Sequence, residues 1–361
     1  MNGRWRAGLA AALGALAAVA GVAAAAANYA DVTPAARVSL PADAGAHPDF
    51  RTEWWYVTGW LATDAGEALG FQVTFFRTRP SLESANPSAF AARQVLIAHA
   101  ALSDPAHGRL WHDQRILRQG FGLAAAATGR TDVRLRDWSL AARGGGLAAC
   151  VRGEDFGFEL VLEPTLPPLL NGSGGYSQKG PAPTAASLYY SVPQLRVEGS
   201  VDRGGKRVAV TGSAWLDHEW SSAYLDPLAV GWDWIGVNLD DGGALMAFRM
   251  RDAGGGARWA GGTLRSADGR VRSLAPGEVA FTPGRRWRSP RTAIEYPVEW
   301  RVSAGGLELA LVPLLDDQES DSRATTGAIY WEGAVEARAD GRRIGRGYLE
   351  LTGYGERLRL R

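Results

Sequence analysis

The chain has 361 residues, 46% hydrophobic and 21% charged, which is enough apolar side chain for a sizeable core and excludes general disorder. Its 39 Lys and Arg stand against 38 Asp and Glu, and the net charge of +1 provides no basic footprint for nucleic acid. A single cysteine, Cys150, excludes an internal disulfide, and no Cys/His cluster of zinc-finger type occurs, so packing must hold the fold.

In chain order, the first element reads as a targeting segment. Arg4 and Arg6 precede an alanine-rich apolar run from Ala7 to Ala27, and Ala25-Ala26-Ala27 before Asn28 has the small-residue pattern of a cleavage site. Residues 1–27 are therefore expected to be a secretory signal, with the mature chain periplasmic or secreted. The alternative is an uncleaved membrane anchor, because the run is long enough to span a bilayer.

From His47 onward, short apolar and aromatic bursts alternate with Gly, Asp, Asn and Pro clusters, and helical periodicity is almost absent. The 46 glycines suit tight turns between strands, and the 14 tryptophans suit aromatic cavity walls or a cross-paired sheet. EWWYVTGWL (Glu53 to Leu61) and LGFQVTFFR (Leu69 to Arg77) predict a hairpin, as do DWIGVNL (Asp233 to Leu239) and ALMAFRM (Ala244 to Met250). Their shared layout points to two related β units in tandem. The Pro- and Gly-rich stretch Pro164 to Pro183 predicts a long loop free of regular strand. Ser221 to Gly231 is the expected join between domains at 46–222 and 223–361.

The run Gly212-Ser213-Ala214-Trp215-Leu216-Asp217-His218-Glu219-Trp220 sets three ionisable groups among tryptophans. As a strand it puts Asp217 and Glu219 on one face with Trp215, and His218 on the other with Leu216 and Trp220. Two desolvated carboxyls so close raise at least one pKa toward neutrality, which makes a usable general acid. The competing reading is a strand end whose charges face water. No metal site is expected, since adjacent Asp and His point apart and no second His is near in sequence. HExxH, GxSxG and phosphate-loop patterns are all missing, which argues against zincin, serine hydrolase and nucleotide chemistry. Tyr176 and Lys179 are candidate pocket residues. Arg77, with Glu53 and Arg51, reads either as part of a buried Arg–Glu pair or as a ligand contact.

HPDFRTEWWYVTGWL (from His47), GFQVTFFR (from Gly70), SGGYSQKGP (from Ser173), GSAWLDHEWSS (from Gly212) and GWDWIGVNLDDGGALMAFRMR (from Gly231) resemble the lipocalin-like family of carotenoid 1,2-hydratases (hydroxyneurosporene synthases) and AttH-type secreted proteins. The resemblance spans nearly the whole mature chain. It implies an all-β fold of two tandem lipocalin-like antiparallel barrels, and an activity of hydro-lyase type that needs no cofactor. Under it Asp217 is the proton donor, Glu219 raises its pKa, and His218 orients the water or the acid. Trp54, Trp55, Tyr56, Trp215, Trp220, Trp232 and Trp234 would line the ligand site, the indole faces stabilising a tertiary cation by about 1–2 kcal/mol each when desolvated. The ligand would be an apolar isoprenoid or lipid. The competing function is a non-catalytic exported carrier of such a ligand, working at a membrane surface or with an ABC-type exporter.

Overall fold

A computed structural model describes residues 29–81, 86–88 and 90–358, and the expected signal segment lies outside them. The described chain is all-β, with single 3-10 turns at Ala42–Ala44 and Pro276–Glu278. The first sheet contains β1 (Thr52–Thr63), β2 (Ala68–Thr78), β3 (Val95–Ser103), β4 (Leu110–Arg118), β5 (Ala124–Ala126), β6 (Asp132–Leu135), β7 (Trp138–Arg143), β8 (Gly146–Arg152), β9 (Phe156–Pro164), β10 (Leu169–Leu170), β11 (Tyr176–Gln178), β12 (Ala186–Arg203) and β13 (Lys206–Ala223). Its order is β4-β3-β2-β1-β13-β12-β9-β8-β7-β6-β5, with β10 and β11 paired onto β12. Arg115 on β4 donates to the Arg152 carbonyl at 2.8 Å, drawing the sheet round into a nearly closed barrel, barrel A.

The second sheet contains β14 (Gly231–Leu239), β15 (Ala244–Arg251), β16 (Ala257–Arg265), β17 (Val271–Leu274), β18 (Val279–Pro283), then, after the short β19 (Arg286–Arg288) and β20 (Glu295–Pro297) pair, β21 (Trp300–Ala304), β22 (Leu307–Pro313), β23 (Glu319–Ser322), β24 (Ala328–Ala339) and β25 (Arg342–Leu351). Its order is β17-β16-β15-β14-β25-β24-β22-β21-β18, with β23 on β24. Arg249 on β15 donates to the Phe281 carbonyl on β18 at 3.3 Å, so this sheet also curls on itself, forming barrel B.

Both predicted hairpins form, with Tyr56 opposite Thr74 and Ile235 opposite Ala247. The stretch from Pro164 to Pro183 is not wholly irregular. It holds β10 and β11, whose few residues pair with Leu188, Tyr190 and their neighbours in β12.

Three apolar clusters form. One fills barrel A around Trp55, Phe71, Phe75, Trp138 and Trp220, and a second fills barrel B around Ile235, Trp300, Trp331 and Leu349. The third, with Tyr56, Trp60, Tyr189, Trp215, Trp234, Phe248 and Tyr348, lies between the barrels and buries the outward faces of β1, β12 and β13 against those of β14, β15 and β25. Polar contacts fix this joint: Trp60 Nε1 donates to the Gly347 carbonyl at 3.0 Å, and Ser103 Oγ to Gln318 Oε1 at 2.6 Å. Gly70 lets β2 approach barrel B. A Cβ there would lie 2.7 Å from the Ala334 Cβ and 2.8 Å from Tyr348 Oη. Gly70→Val is accordingly expected to destabilise by about 1–3 kcal/mol, the overpacking range, read as a shift of the urea midpoint.

Candidate active site between the two barrels

β13 pairs with β1 on one side and β12 on the other, so its alternation decides which chamber each side chain enters. Trp215, Asp217 and Glu219 point outward into the joint. Asp217 is fully buried there: Ser191 Oγ and Trp215 Nε1 donate to its Oδ1, each at 2.6 Å, and Tyr189 Oη donates to Oδ2 at 2.6 Å. Tyr189 Oη in turn accepts from Trp234 Nε1 at 3.1 Å, tying the site to barrel B. Burial is the strongest influence on this carboxyl. It outweighs the three hydrogen bonds and, with some repulsion from Glu219, pushes the pKa up from 3.8 to about 7.

Glu219 sits two residues on, its Oε1 3.0 Å from Lys179 Nζ and hydrogen-bonded by Ser187. Lys179 comes from the segment just after β11 and is completely enclosed, its ammonium 4.1 Å from the centre of the Phe248 ring and 4.7 Å from that of Tyr189. Burial raises the Glu219 pKa and lowers that of Lys179, while their contact opposes both shifts. Tyr224 packs edge-on against Trp54 and Trp232, closing the aromatic wall on this side.

Barrel B contributes two more carboxyls. Glu350 on β25 lies opposite Trp234 on β14 and opposite Glu332 on β24. Burial drives both upward, Glu350 adds to the rise at Glu332, and Asp217 and Glu219 add to the rise at Glu350. Tyr56 and Glu332 are both buried and face each other, and the Glu332 charge adds to the effect of burial in raising the Tyr56 phenol. Glu350, Trp54 and Trp232 are partly exposed, so the joint is not sealed.

The opposite face of β13 opens into barrel A. There His218 Nε2 lies 2.9 Å from Glu53 Oε1, its ring stacks on Trp55 at 4.7 Å, and Tyr190 Oη is 3.2 Å from Nδ1. Glu53 also takes Arg77 Nε at 2.7 Å and His47 Nδ1 at 2.7 Å. Burial alone would raise the Glu53 carboxyl. Hydrogen bonds from His218 and His47, aided by Arg77, hold it well below the usual range instead.

The AttH-like family model matches residues 31–354. The chain belongs to the AttH-like family. An AttH-type protein of Nitrosomonas europaea is 52% identical over 90% of this chain and 99% of its own, with a TM-score of 0.84. Kievitone hydratase from Nectria haematococca has the same fold at 16% identity, over 92% of this chain and 98% of its own, with a TM-score of 0.66. No curated protein matches the sequence.

In this AttH-like protein the thirteen residues read from sequence as one site divide into two. Trp54, Tyr56, Lys179, Trp215, Asp217, Glu219, Trp232 and Trp234 meet in the joint. Trp55, Arg77, Tyr176, His218 and Trp220 do not: Trp55, Tyr176 and Trp220 belong to the barrel A core, and Arg77 pairs with Glu53 inside it. The expectation that His218 orients a water or acid at Asp217 is therefore corrected, because successive residues of a strand face opposite sides. The expected lift of Asp217 by Glu219 is the smallest of the named influences, burial being the largest. Tyr189, Ser191, Glu332 and Glu350 escaped the sequence reading. An available signal was Glu332, set between Trp331 and Gly333 in the otherwise uncharged run from Ala328 to Val335.

The raised Asp217 carboxyl has a consequence for stability. Its folded pKa exceeds the unfolded value, so its contribution is fully present below about pH 4 and is lost as pH rises through about 7. The difference in urea midpoint between the wild type and Asp217→Asn should shift steadily against the wild type from pH 4 to 7 and then level off. Parallel curves would contradict an elevated pKa.

Proposed function

We propose that this protein is a hydro-lyase of the carotenoid 1,2-hydratase type that adds water across an alkene of an apolar isoprenoid held between the barrels. One observation carries the reading: a buried carboxyl, Asp217, poised to be neutral near pH 7 and walled by Trp215, Trp234 and Tyr189. A hydratase among its fold relatives supports the reaction class.

The hydrogen bonds around Asp217 give the proton a direction. Trp215 Nε1 can only donate, so Oδ1 stays an acceptor and the acidic proton resides on Oδ2. Oδ2–H then donates to Tyr189 Oη, which already accepts from Trp234 Nε1, and the phenol's own hydrogen turns into the joint. The phenol passes that proton to the less substituted alkene carbon while receiving one from Asp217. The tertiary cation forms against the indole faces of Trp54, Trp215, Trp232 and Trp234. Water adds to the cation, and the proton it releases returns through the Tyr189 hydroxyl to the Asp217 carboxylate, which restores the acid for the next turnover. Atoms balance as alkene plus water giving a tertiary alcohol, with no cofactor.

Tyr189→Phe removes only the hydroxyl and is expected to depress turnover by about 10²-fold with Asp217 in place, the lower range for a positioned proton-transfer group. A second reading, a non-catalytic exported carrier working with an ABC-type exporter or at a membrane surface, is favoured by the fact that both Asp217 oxygens are already hydrogen-bonded. Mass spectrometry of the organic extract after incubation with acyclic isoprenoids separates them. A product heavier by one water with wild type and not with Asp217→Asn supports the hydratase; the same unmodified lipid bound to both supports the carrier. Export by residues 1–27 to the periplasm belongs to either reading.

A further inference from the structure

We infer that His47, Glu53 and His218 form a binding site for a divalent cation of the zinc class inside the rim of barrel A, on the face of β13 opposite Asp217. One donor atom from each residue, two imidazole nitrogens and a carboxylate oxygen, lies within 4.8 Å of the others. Two His and one Glu with a fourth position left for water is a set that suits tetrahedral zinc, which takes nitrogen and carboxylate ligands together. Three separate pieces of chain supply them: His47 precedes β1, Glu53 lies on it, and His218 is on β13, where it pairs with Trp55.

The surroundings have the form of a support for such ligands. The far ring nitrogen of His218 is 3.2 Å from Tyr190 Oη, and that of His47 is 3.5 Å from Asp43 Oδ1. The second oxygen of Glu53 is held by Arg77 Nε at 2.7 Å and by the His47 backbone N–H at 2.9 Å. Both rings are fixed by stacking, His47 on Trp220 at 3.8 Å and 7°, and His218 on Trp55. Metal ligands need such outer partners to set ring orientation and tautomer.

His47 makes the strongest case. Its two ring nitrogens each face a carboxylate, Glu53 at 2.7 Å and Asp43 at 3.5 Å. A cation bound by Nδ1 and Oε1, which part from their 2.7 Å contact to admit it, leaves Nε2–H to donate to Asp43. The His47 side chain is 16% exposed while those of Glu53 and His218 are fully buried, so an ion has a route in from the rim.

The test is a zinc titration of the chelator-stripped, tag-free full chain against a chromophoric competitor, with cobalt as a spectroscopic stand-in. The expected result is one equivalent of zinc, tetrahedral-type visible absorption with cobalt, and loss of both in His47→Gln, a change at the partly exposed rim. Asp43→Asn, which removes only an outer partner, should weaken zinc binding by about 10–100-fold. Zinc bound equally by wild type and His47→Gln, or no saturable equivalent, would overturn the site and leave a hydrogen-bonded clasp that ties the segment before β1 to the barrel. Neither result depends on hydratase activity, so the two proposals stand or fall separately.

Discussion

Asp217→Asn is expected to lower hydration by about 10²–10⁴-fold, the contribution of a positioned general acid, while leaving the fold intact. The asparagine keeps the shape of the side chain and most of its hydrogen bonds. Its carbonyl oxygen can take the Oδ1 donors, Ser191 and Trp215, and its amide can donate to Tyr189 Oη, which then turns from donor to acceptor as in the protonated acid. Only the transferable proton is missing. Circular dichroism and the urea midpoint at low pH should match the wild type, and substrate affinity should change little, since the apolar ligand rests on indoles and not on the carboxyl. Full activity in this variant would move the proton source to another carboxyl of the joint, Glu219, Glu332 or Glu350.

The largest effect on stability is expected from Lys179→Met. The methionine fills a similar volume among Tyr189, Tyr224 and Phe248, so the aromatic contacts are largely kept. What is lost is the cation 3.0 Å from Glu219, a carboxyl already desolvated and hydrogen-bonded by Ser187. Removing one partner of a buried pair leaves the other uncompensated and costs about 3–5 kcal/mol. Adding Glu219→Gln removes the orphaned charge while keeping an acceptor for Ser187, so the double variant should recover most of the loss. Urea unfolding of the four proteins in the cycle measures the coupling directly. A double variant as unstable as the sum of its parts would mean that Lys179 acts by packing alone.

Much of the fold is legible in the sequence because strand alternation and glycine turns are local signals. EWWYVTGWL and its partner, and DWIGVNL and its partner, carry both, and each forms the hairpin it predicts. The shared face of Asp217 and Glu219 follows from the same period of two. The short β10 and β11 are invisible to this logic, since two or three residues pairing with β12 show no period.

The site was half legible for a physical reason. β13 is buried on both faces from Ala214 to Ser221, so its sequence carries no polar side to say which chamber is which. The aromatic residues of β1 alternate between the barrel A core, with Trp55, and the joint, with Tyr56 and Trp60, under one composition. Contacts such as Trp234 with Tyr189, or Glu350 with Glu332, depend on how the barrels dock and on pairings between distant strands. The same holds for His47, which has no histidine neighbour in sequence and gains His218 only when β13 folds beside β1.

The most direct test of an acid at the joint is the titration of Asp217 itself, followed by carbon-13 NMR of aspartate-labelled protein with Asp217→Asn to assign the resonance. A midpoint near pH 7 is the predicted result, since burial outweighs the three donors around this carboxyl. A midpoint in the ordinary aspartate range, near 4, would contradict it, leaving Asp217 a structural anion held by Tyr189, Ser191 and Trp215 and the joint without its proton source.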